Sequence, residues 1–335
     1  VSGYTENDIK VWTEMVARAL TAAGGTKDDI IQIAYGYGLF TGGLGAHQGA
    51  TEIGATVIPM SSGNTQRQII MMKELGATML CCTPSYAASL GESINEGGHR
   101  ENIKLKAGIF GAEPWTEEMR QHLEDLLDFD ALDIYGLTEI GGPGVAFECM
   151  EKHGMHINED HVLAEIIDPV TEEPLPDDTP GELVFTTLTK TGAPMIRYRT
   201  HDICTLHHGT CACGRTTVKM SRITGRTDDM LVVRGVNVFP SQIEAVLMGV
   251  KEASAHYMLV VDRVNSQDKL TVQVELKDDV DINDADKLEK LAAYIKTQIK
   301  QTLLISAKVE LLPPKSIARS EGKAKRITDN RNTGF

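Results

Sequence analysis

Apolar positions along this chain switch between a helical and a strand period, and the switching predicts most of its elements. Residues 7–24 repeat apolar side chains at helical spacing and stop at Gly24-Gly25, which predicts an amphipathic helix. The apolar run 29–34 then reads as a short buried strand. The same order continues with strand 54–59, helix 64–75, strand 78–83, helix 85–95, strand 106–110, helix 116–127 and a strand at 133–135. Strand–helix alternation with glycine turns after the strands predicts α/β layers around a largely parallel sheet. Ligands of such sheets sit beyond the carboxyl ends of the strands. The glycine-rich strand ends after Ala34, Phe110 and Tyr135 are therefore expected to line one cleft.

From about residue 157 the period becomes two. Segments 161–167 and 181–187 alternate as β-strands on either side of a Pro/Asp turn at 174–181. A strand at 195–202 carries two arginines and ends on Asp202. Gly225-Arg226-Thr227-Asp228-Asp229 punctuates the chain, and a tight hairpin is expected around Arg234-Gly235. Beyond it come helix 241–248, strands 255–261 and 269–275, helix 285–302 and strand 307–312, the size of a small α+β domain. The expected class is α/β: layered sheets and a β-rich subdomain in 1–226, and an α+β domain in 227–335.

Composition narrows the function classes. The 335 residues are 41% hydrophobic and 24% charged, ordinary for a soluble globular protein, and no apolar run reaches bilayer length. A net charge of −14 argues against nucleic acid as the main partner, which needs a basic face. A nucleotide needs only a local pocket. Six cysteines suggest no disulfide scaffold, so a reduced, cytoplasmic setting is expected, with metal binding as the other use of clustered thiols.

Candidate chemistry concentrates in Asp133-Ile134-Tyr135-Gly136-Leu137-Thr138-Glu139. A strand that breaks at Gly136 lets backbone approach a ligand closely. The Thr138 hydroxyl can donate to phosphate, Glu139 is a hard oxygen ligand suited to Mg²⁺, and Tyr135 offers a flat face for a base. The bland alternative is a strand, a turn and a helix capped by Thr138. Tyr35-Gly36-Tyr37-Gly38-Leu39-Phe40-Thr41-Gly42-Gly43 reads either as a flexible loop around a flat apolar ligand or as a turn whose aromatics plug the core. Asp202 can accept two ribose hydroxyls; the alternative is an ion pair with Arg197 or Arg199. A basic tail, 314–326, presents Lys323 on a Ser/Gly-rich turn, either as a solvated loop or as a mobile catalytic lysine.

Together these stretches resemble the adenylate-forming acyl-CoA ligase superfamily, and among its members the phenylacetate–CoA ligases and related aryl-acid ligases. The resemblance rests on YGYGLFTGGLG at 35–45, GAEPW at 111–115, YGLTE at 135–139, RYRTHD at 197–202, GRTDDM at 225–230 and RSEGKAKR at 319–326, in that order. It implies ligation of an aryl acid to coenzyme A through an acyl-adenylate made from ATP, with AMP and pyrophosphate released. It places Gly111, Ala112, Glu113, Pro114, Asp133, Tyr135, Gly136, Thr138, Asp202 and Arg226 around the nucleotide. Catalysis would fall to Thr138, Glu139 as Mg²⁺ ligand, and Lys323, which bridges the carboxylate and the α-phosphate. Asp228 would be the hinge of the small domain, and Tyr35, Gly36, Tyr37, Phe40 and Gly42 would line the acyl pocket. Homodimerisation is a further expectation. The family's phosphate loop should lie just before Val1, so an upstream segment is expected to be missing. The rival readings are an adenylate-former that loads another thiol acceptor and a non-catalytic nucleotide-binding relative.

A structural zinc site is a separate expectation. Cys211 and Cys213 form a thiol pair on a tight turn, and Cys149 with His153 completes a Cys₃His set, with Cys204, His156, His207 and His208 as competing donors.

Overall fold

The computed structural model describes residues 2–38, 41–227, 231–234, 236–264, 267–303, 305–319 and 325–331, the side chains of 232, 237, 264 and 267 excepted. The chain divides into two compact units. The larger is built mainly from Val1–Pro114 and Arg120–Ile223, the smaller from Trp115–Met119, Thr224–Ser320 and Ala324–Phe335. The division falls just ahead of the expected boundary at 226.

In chain order the first elements are α1 (Glu6–Ala22), β1 (Ile30–Ile33), α2 (Thr41–Glu52), β2 (Thr56–Pro59), α3 (Thr65–Leu75), β3 (Met79–Cys82), α4 (Pro84–Glu96), β4 (Ala107–Gly111), α5 (Glu117–Leu127) and β5 (Asp130–Leu137). Next come β6 (Gly142–Glu148), β7 (Met155–Ile157), β8 (Val162–Ile167), β9 (Gly181–Thr187), β10 (Tyr198–Cys204), β11 (Leu206–His207) and β12 (Lys219–Met220). Strands β2-β1-β3-β4-β5 run parallel. β6, β7, β12 and β11 extend the same sheet antiparallel. Strands β8-β9-β10 form an antiparallel ladder in a second sheet.

Local chemistry explains where the helices start and stop. Thr5 caps α1 by accepting from the Asp8 N–H at 3.2 Å, and the Asp8 carboxylate returns the contact to Thr5 N–H at 2.7 Å, a reciprocal cap. Thr83 caps α4, whose first residue is Pro84, where the missing N–H costs nothing. α3 ends at Gly76 in the left-handed region.

The helix α2 was not expected, because TGGLGAHQGATE carries glycines that weaken helices by about 1 kcal/mol each. Its glycines serve packing instead. A Cβ on Gly45 would stand 2.5 Å from the Trp12 ring, and one on Gly49 would stand 2.6 Å from Val16. The missing side chains let α2 lie directly against α1, whose Trp12, Met15, Val16 and Leu20 reach into the core with Ile31, Ile33 and Ile134. Residues 41–43 are thus helical rather than the end of a flexible loop or turn.

The smaller unit contains β13 (Gly225–Arg226), β14 (Leu231–Val233), β15 (Val236–Val238), α6 (Pro240–Met248), β16 (Ala253–Val264), β17 (Gln267–Leu276), α7 (Ala285–Leu303), β18 (Lys308–Leu312) and β19 (Ile327–Asp329). The expected hairpin is β14–β15. The main sheet runs β18-β17-β16-β19, and Ile243, Leu247, Ile295 and Ile299 of the helices pack on Leu259, Val261, Val272 and Val274. Strand β19, unforeseen in the sequence, pairs with β16. Ahead of it, Arg319 binds the buried Glu275 carboxylate through both oxygens at 2.8 and 2.7 Å. Among the described residues no helix is long and apolar enough to cross a membrane.

Asp8 ties the start of α1 to a distant loop. Its carboxylate accepts from Thr191 N–H and Gly192 N–H, each at 2.7 Å. Burial alone would raise its pKa, but the hydrogen bonds from Thr5, Thr191 and Gly192 win and bring it down from 3.8 to about 2. A depressed folded pKa adds stability that is complete above the ordinary value and disappears as pH falls through about 2. Asp8→Asn is expected to cost about 1–2 kcal/mol at neutral pH. In urea unfolding as a function of pH, the gap from wild type should close progressively below pH 4. A gap that stays constant down to pH 2 would contradict the assignment.

Candidate functional site

The site is built at the carboxyl ends of β4 and β5. β5 does not break at its glycine. It continues through Gly136 to Leu137, pairing Gly111 of β4 with Ile134 and shifting register against β6 between Tyr135 and Gly136. A Cβ on Gly136 would lie 1.8 Å from the Gly142 carbonyl oxygen, and one on Gly111 would lie 2.2 Å from the Ile134 oxygen. Only glycine allows these backbones to approach so closely. Thr138 begins a reverse turn into β6 rather than capping a helix, and the N–H groups of Ile140 and Gly141 both donate to the Leu137 oxygen at 3.1 Å.

Tyr135 and Asp202, assigned separately in the sequence, are brought together. The Tyr135 hydroxyl donates to Asp202 Oδ2 at 2.5 Å, joining the two sheets. Burial first, and then the Asp202 charge, raise the phenol pKa well above its usual value, so it stays a donor. The ring packs tilted on Phe185 at 6.3 Å. The arginines weighed as partners of Asp202 pair elsewhere: Arg197 with Glu165 at 3.3 Å, and Arg199 with the buried Glu182 at 2.8 and 2.7 Å and with Glu172 at 2.5 Å.

The segment after β4 continues from the Gly111–Ile134 pair. Ala112 has φ +72°, a left-handed conformation that a side chain disfavours by about 1–2 kcal/mol. The Glu113 carboxylate accepts from Ser85 N–H at 2.7 Å, which ties this segment to the first turn of α4. Asp133 is buried, and its N–H donates to Glu148 Oε2 at 2.8 Å. Glu148 also takes both 2.7 Å contacts from Arg120, which reaches the Ala131 carbonyl as well. Arg120 and Glu148 are each 2% exposed, so this pair fixes β5 from beneath.

Backbone carbonyls of the Thr138–Glu139 turn are held by residues that sequence reading missed. The Tyr4 hydroxyl donates to the Thr138 oxygen at 2.5 Å, and Lys190 Nζ donates to the Glu139 oxygen at 2.6 Å while lying 4.5 Å above the Tyr4 ring. Burial lowers the Lys190 pKa against the pull of Asp8 and Glu139. A lysine between Thr189 and Thr191 reads as a solvated loop residue, so the signal was weak. The Thr138 hydroxyl sits 3.2 Å from that of Thr41 at the start of α2. The Glu139 carboxylate is half-buried and makes no hydrogen bond or ion pair among the described residues. Spare carboxylate lone pairs in such a place suit a hard cation.

Of the expected acyl-pocket residues, Tyr35 is buried and Gly42 is buried within α2. Tyr37 bonds His47 Nδ1 at 3.1 Å, and Gly36 lies beneath Gly43, where a Cβ would come within 2.5 Å of its carbonyl oxygen. Phe40, Asp228 and Lys323 lie outside the described residues. Arg226 is half-buried in β13 of the smaller unit.

The thiol cluster forms with one correction. Cys149, Cys211 and Cys213 converge with His156, their donor atoms all within 4.8 Å. His153, the expected fourth donor, is exposed on the turn before β7, whereas His156 lies inside that strand and is buried. Strand β7 went unrecognised, so the inward position could not be told from the turn. His156 Nε2 is 3.5 Å from Cys213 Sγ, and its Nδ1 is 3.2 Å from the Thr217 hydroxyl. Burial, with Arg215 and Lys219, lowers the imidazole pKa to about 4, so it is neutral.

These features match known proteins. Residues 13–189 match the AMP-binding enzyme family, and 235–331 match the AMP-binding enzyme C-terminal domain. The fold is close to that of a 2-hydroxyisobutyryl-CoA ligase in the postadenylation state with R3-HIB-AMP: TM-score 0.93, 28% identity, covering 98% of this chain and 71% of that one. The chain is thus an adenylate-forming, AMP-binding enzyme. It is 49% identical over 335 residues to the phenylacetate-coenzyme A ligase of Escherichia coli (99% of this chain, 76% of that protein). To that of Pseudomonas putida it is 48% identical over 333 residues (99% and 75%). It belongs to the phenylacetate–coenzyme A ligase family.

Tyr135→Phe removes the hydroxyl on Asp202 and leaves the ring. AMP affinity by calorimetry is expected to weaken about 5–10-fold, the worth of one charge-assisted hydrogen bond. Unchanged affinity would show that the bond does not order Asp202 for the nucleotide.

Proposed function

We propose that this protein ligates an aryl carboxylic acid of the phenylacetate type to coenzyme A through an acyl-adenylate, releasing AMP and pyrophosphate. The observation that carries the reading is near-half identity to phenylacetate-coenzyme A ligases over 99% of the chain. The clustering of Tyr135, Thr138, Glu139 and Asp202 at one end of the sheet supports it.

A carboxylate is a poor acyl donor, because oxide is its leaving group. In the first step a carboxylate oxygen bonds to the α-phosphorus of ATP, the bond to the bridging oxygen breaks, and pyrophosphate leaves. The Thr138 hydroxyl, beside the start of α2, donates to the α-phosphate, where helix N–H groups add partial positive charge. Asp202, ordered by Tyr135, accepts the ribose hydroxyls, and the Tyr135 ring lies against adenine with Gly111 and Ala112 opposite. Glu139 would hold Mg²⁺, which supplies charge neutralisation for the phosphates. Lys323 takes the role that the family resemblance gives it, its ammonium offsetting charge between carboxylate and α-phosphate. In the second step the sulfur of coenzyme A bonds to the acyl carbon, the carbon–oxygen bond to AMP breaks, and AMP departs with that oxygen.

Aryl specificity is read from the aromatic residues Tyr35, Tyr37 and Phe40 in the proposed acyl segment. ATP–pyrophosphate exchange dependent on an added acid tests the proposal. Exchange with phenylacetate should exceed that with hexadecanoate by at least about 100-fold in kcat/KM, and Lys323→Ala should cost about 10²–10³-fold, as loss of a charge-stabilising group does. Equal or better exchange with hexadecanoate would overturn the aryl assignment. No exchange with any acid, despite AMP binding, would leave a nucleotide-binding protein without this activity.

A further inference from the structure

The thiol–imidazole cluster shares no residue with the proposed chemistry, and nothing in the ligation reaction uses it. We propose that Cys149, His156, Cys211 and Cys213 together bind one structural zinc ion, and that this ion fixes β6 and β7 beside the nucleotide strand β5.

Distances favour a metal. Tetrahedral zinc with Zn–S of about 2.3 Å and Zn–N of about 2.0–2.1 Å requires ligand edges of about 3.8 Å between sulfurs and about 3.6 Å between sulfur and nitrogen. Cys149 and Cys211 sulfurs are 3.9 Å apart, and Cys213 Sγ is 3.5 Å from His156 Nε2. A disulfide would need about 2.05 Å, and all three cysteines are free thiols. Four protein donors, three of them buried, leave no open coordination position, which marks a structural rather than a catalytic site.

The surroundings fit the same ligand. Thr217 holds Nδ1 of His156, orienting Nε2 towards the sulfurs, as partners of metal-bound histidines do. Three thiolates and Zn²⁺ leave a net charge of −1. The Arg215 guanidinium, donating to Cys213 Sγ at 3.4 Å and lying 5.8 Å from the Phe147 ring, offsets it. The turn is itself closed by Gly214 N–H to the Cys211 oxygen and Cys211 N–H to the Arg215 oxygen, each at 2.9 Å.

The donors come from three segments that a single ion would lock together. Cys149 directly follows Glu148, whose carboxylate carries Arg120 and the Asp133 N–H. His156 pairs with Phe147 across β6–β7, and Phe147 pairs with Ile134 across β5–β6. Register thus passes from the cluster to the residue before Tyr135. This positioning role rests on the nucleotide site proposed above; the metal site does not.

The test uses the protein purified without added chelator. Native mass spectrometry should show one zinc ion per chain, and cobalt exchanged for zinc should give the intense thiolate-to-cobalt absorption of a tetrahedral site. Cys213→Ser, at the partly exposed ligand, should lose the ion and lower the Tm by at least about 5 °C. AMP affinity should weaken about 3–10-fold in metal-free wild type and return with zinc. No ion after dialysis against zinc, or an ion retained at full strength in Cys213→Ser, would overturn the site. Identical AMP affinity with and without zinc would overturn the positioning role while leaving metal binding and the ligation reading to their own assays.

Discussion

One buried carboxylate, Glu148, constrains the functional half of this molecule. Taking a carboxylate and a guanidinium out of water is costly, and removing one partner of such a pair costs about 3–5 kcal/mol because the other is left uncompensated. Glu148 and Arg120 meet that cost with two 2.7 Å contacts, and Glu148 Oε2 also accepts from the Asp133 N–H. Strand β5 is thereby tied to a buried ion pair. Two residues on, Tyr135 reaches Asp202 in the second sheet, and beyond it the turn at Thr138–Glu139 is held by Tyr4 and Lys190. The site is one strand restrained from three sides.

Much of this was legible in the chain. The parallel strands β1–β5 and the helices α1 and α3–α5 are patterned strongly enough for the two periods to be separated. The smaller unit's hairpin and long helix were equally plain. What escaped has common physical causes. α2 looked like a loop because its glycines lower helix propensity, yet those glycines are there so that Trp12 and Val16 can pack at backbone distance. β6 was not among the expected strands, because it opens on Gly142-Pro143-Gly144, residues typical of turns. With β7 only three residues long and unassigned, His153 could not be distinguished from His156 as the inward-facing histidine.

Couplings between the candidate residues left no mark in the sequence. Tyr135 and Asp202 are 67 positions apart, and no local pattern says that one orders the other. Lys190 and Tyr4 act on carbonyls, which leave no trace in side-chain motifs. Their role is positional: they aim the turn that presents Thr138 and Glu139. The same holds for Asp8, whose carboxylate binds the loop that carries Lys190 to the start of α1.

The central claim is that the carboxylate attacks the α-phosphorus, so the acyl group leaves one of its own oxygens on AMP. Phenylacetate labelled with ¹⁸O in both carboxyl oxygens, turned over with ATP and coenzyme A, measures this directly by mass spectrometry of the products. The account predicts one labelled oxygen in AMP, one in the thioester carbonyl, and none in pyrophosphate. Label in inorganic phosphate with ADP as co-product would mean attack at the terminal phosphorus, and would contradict it.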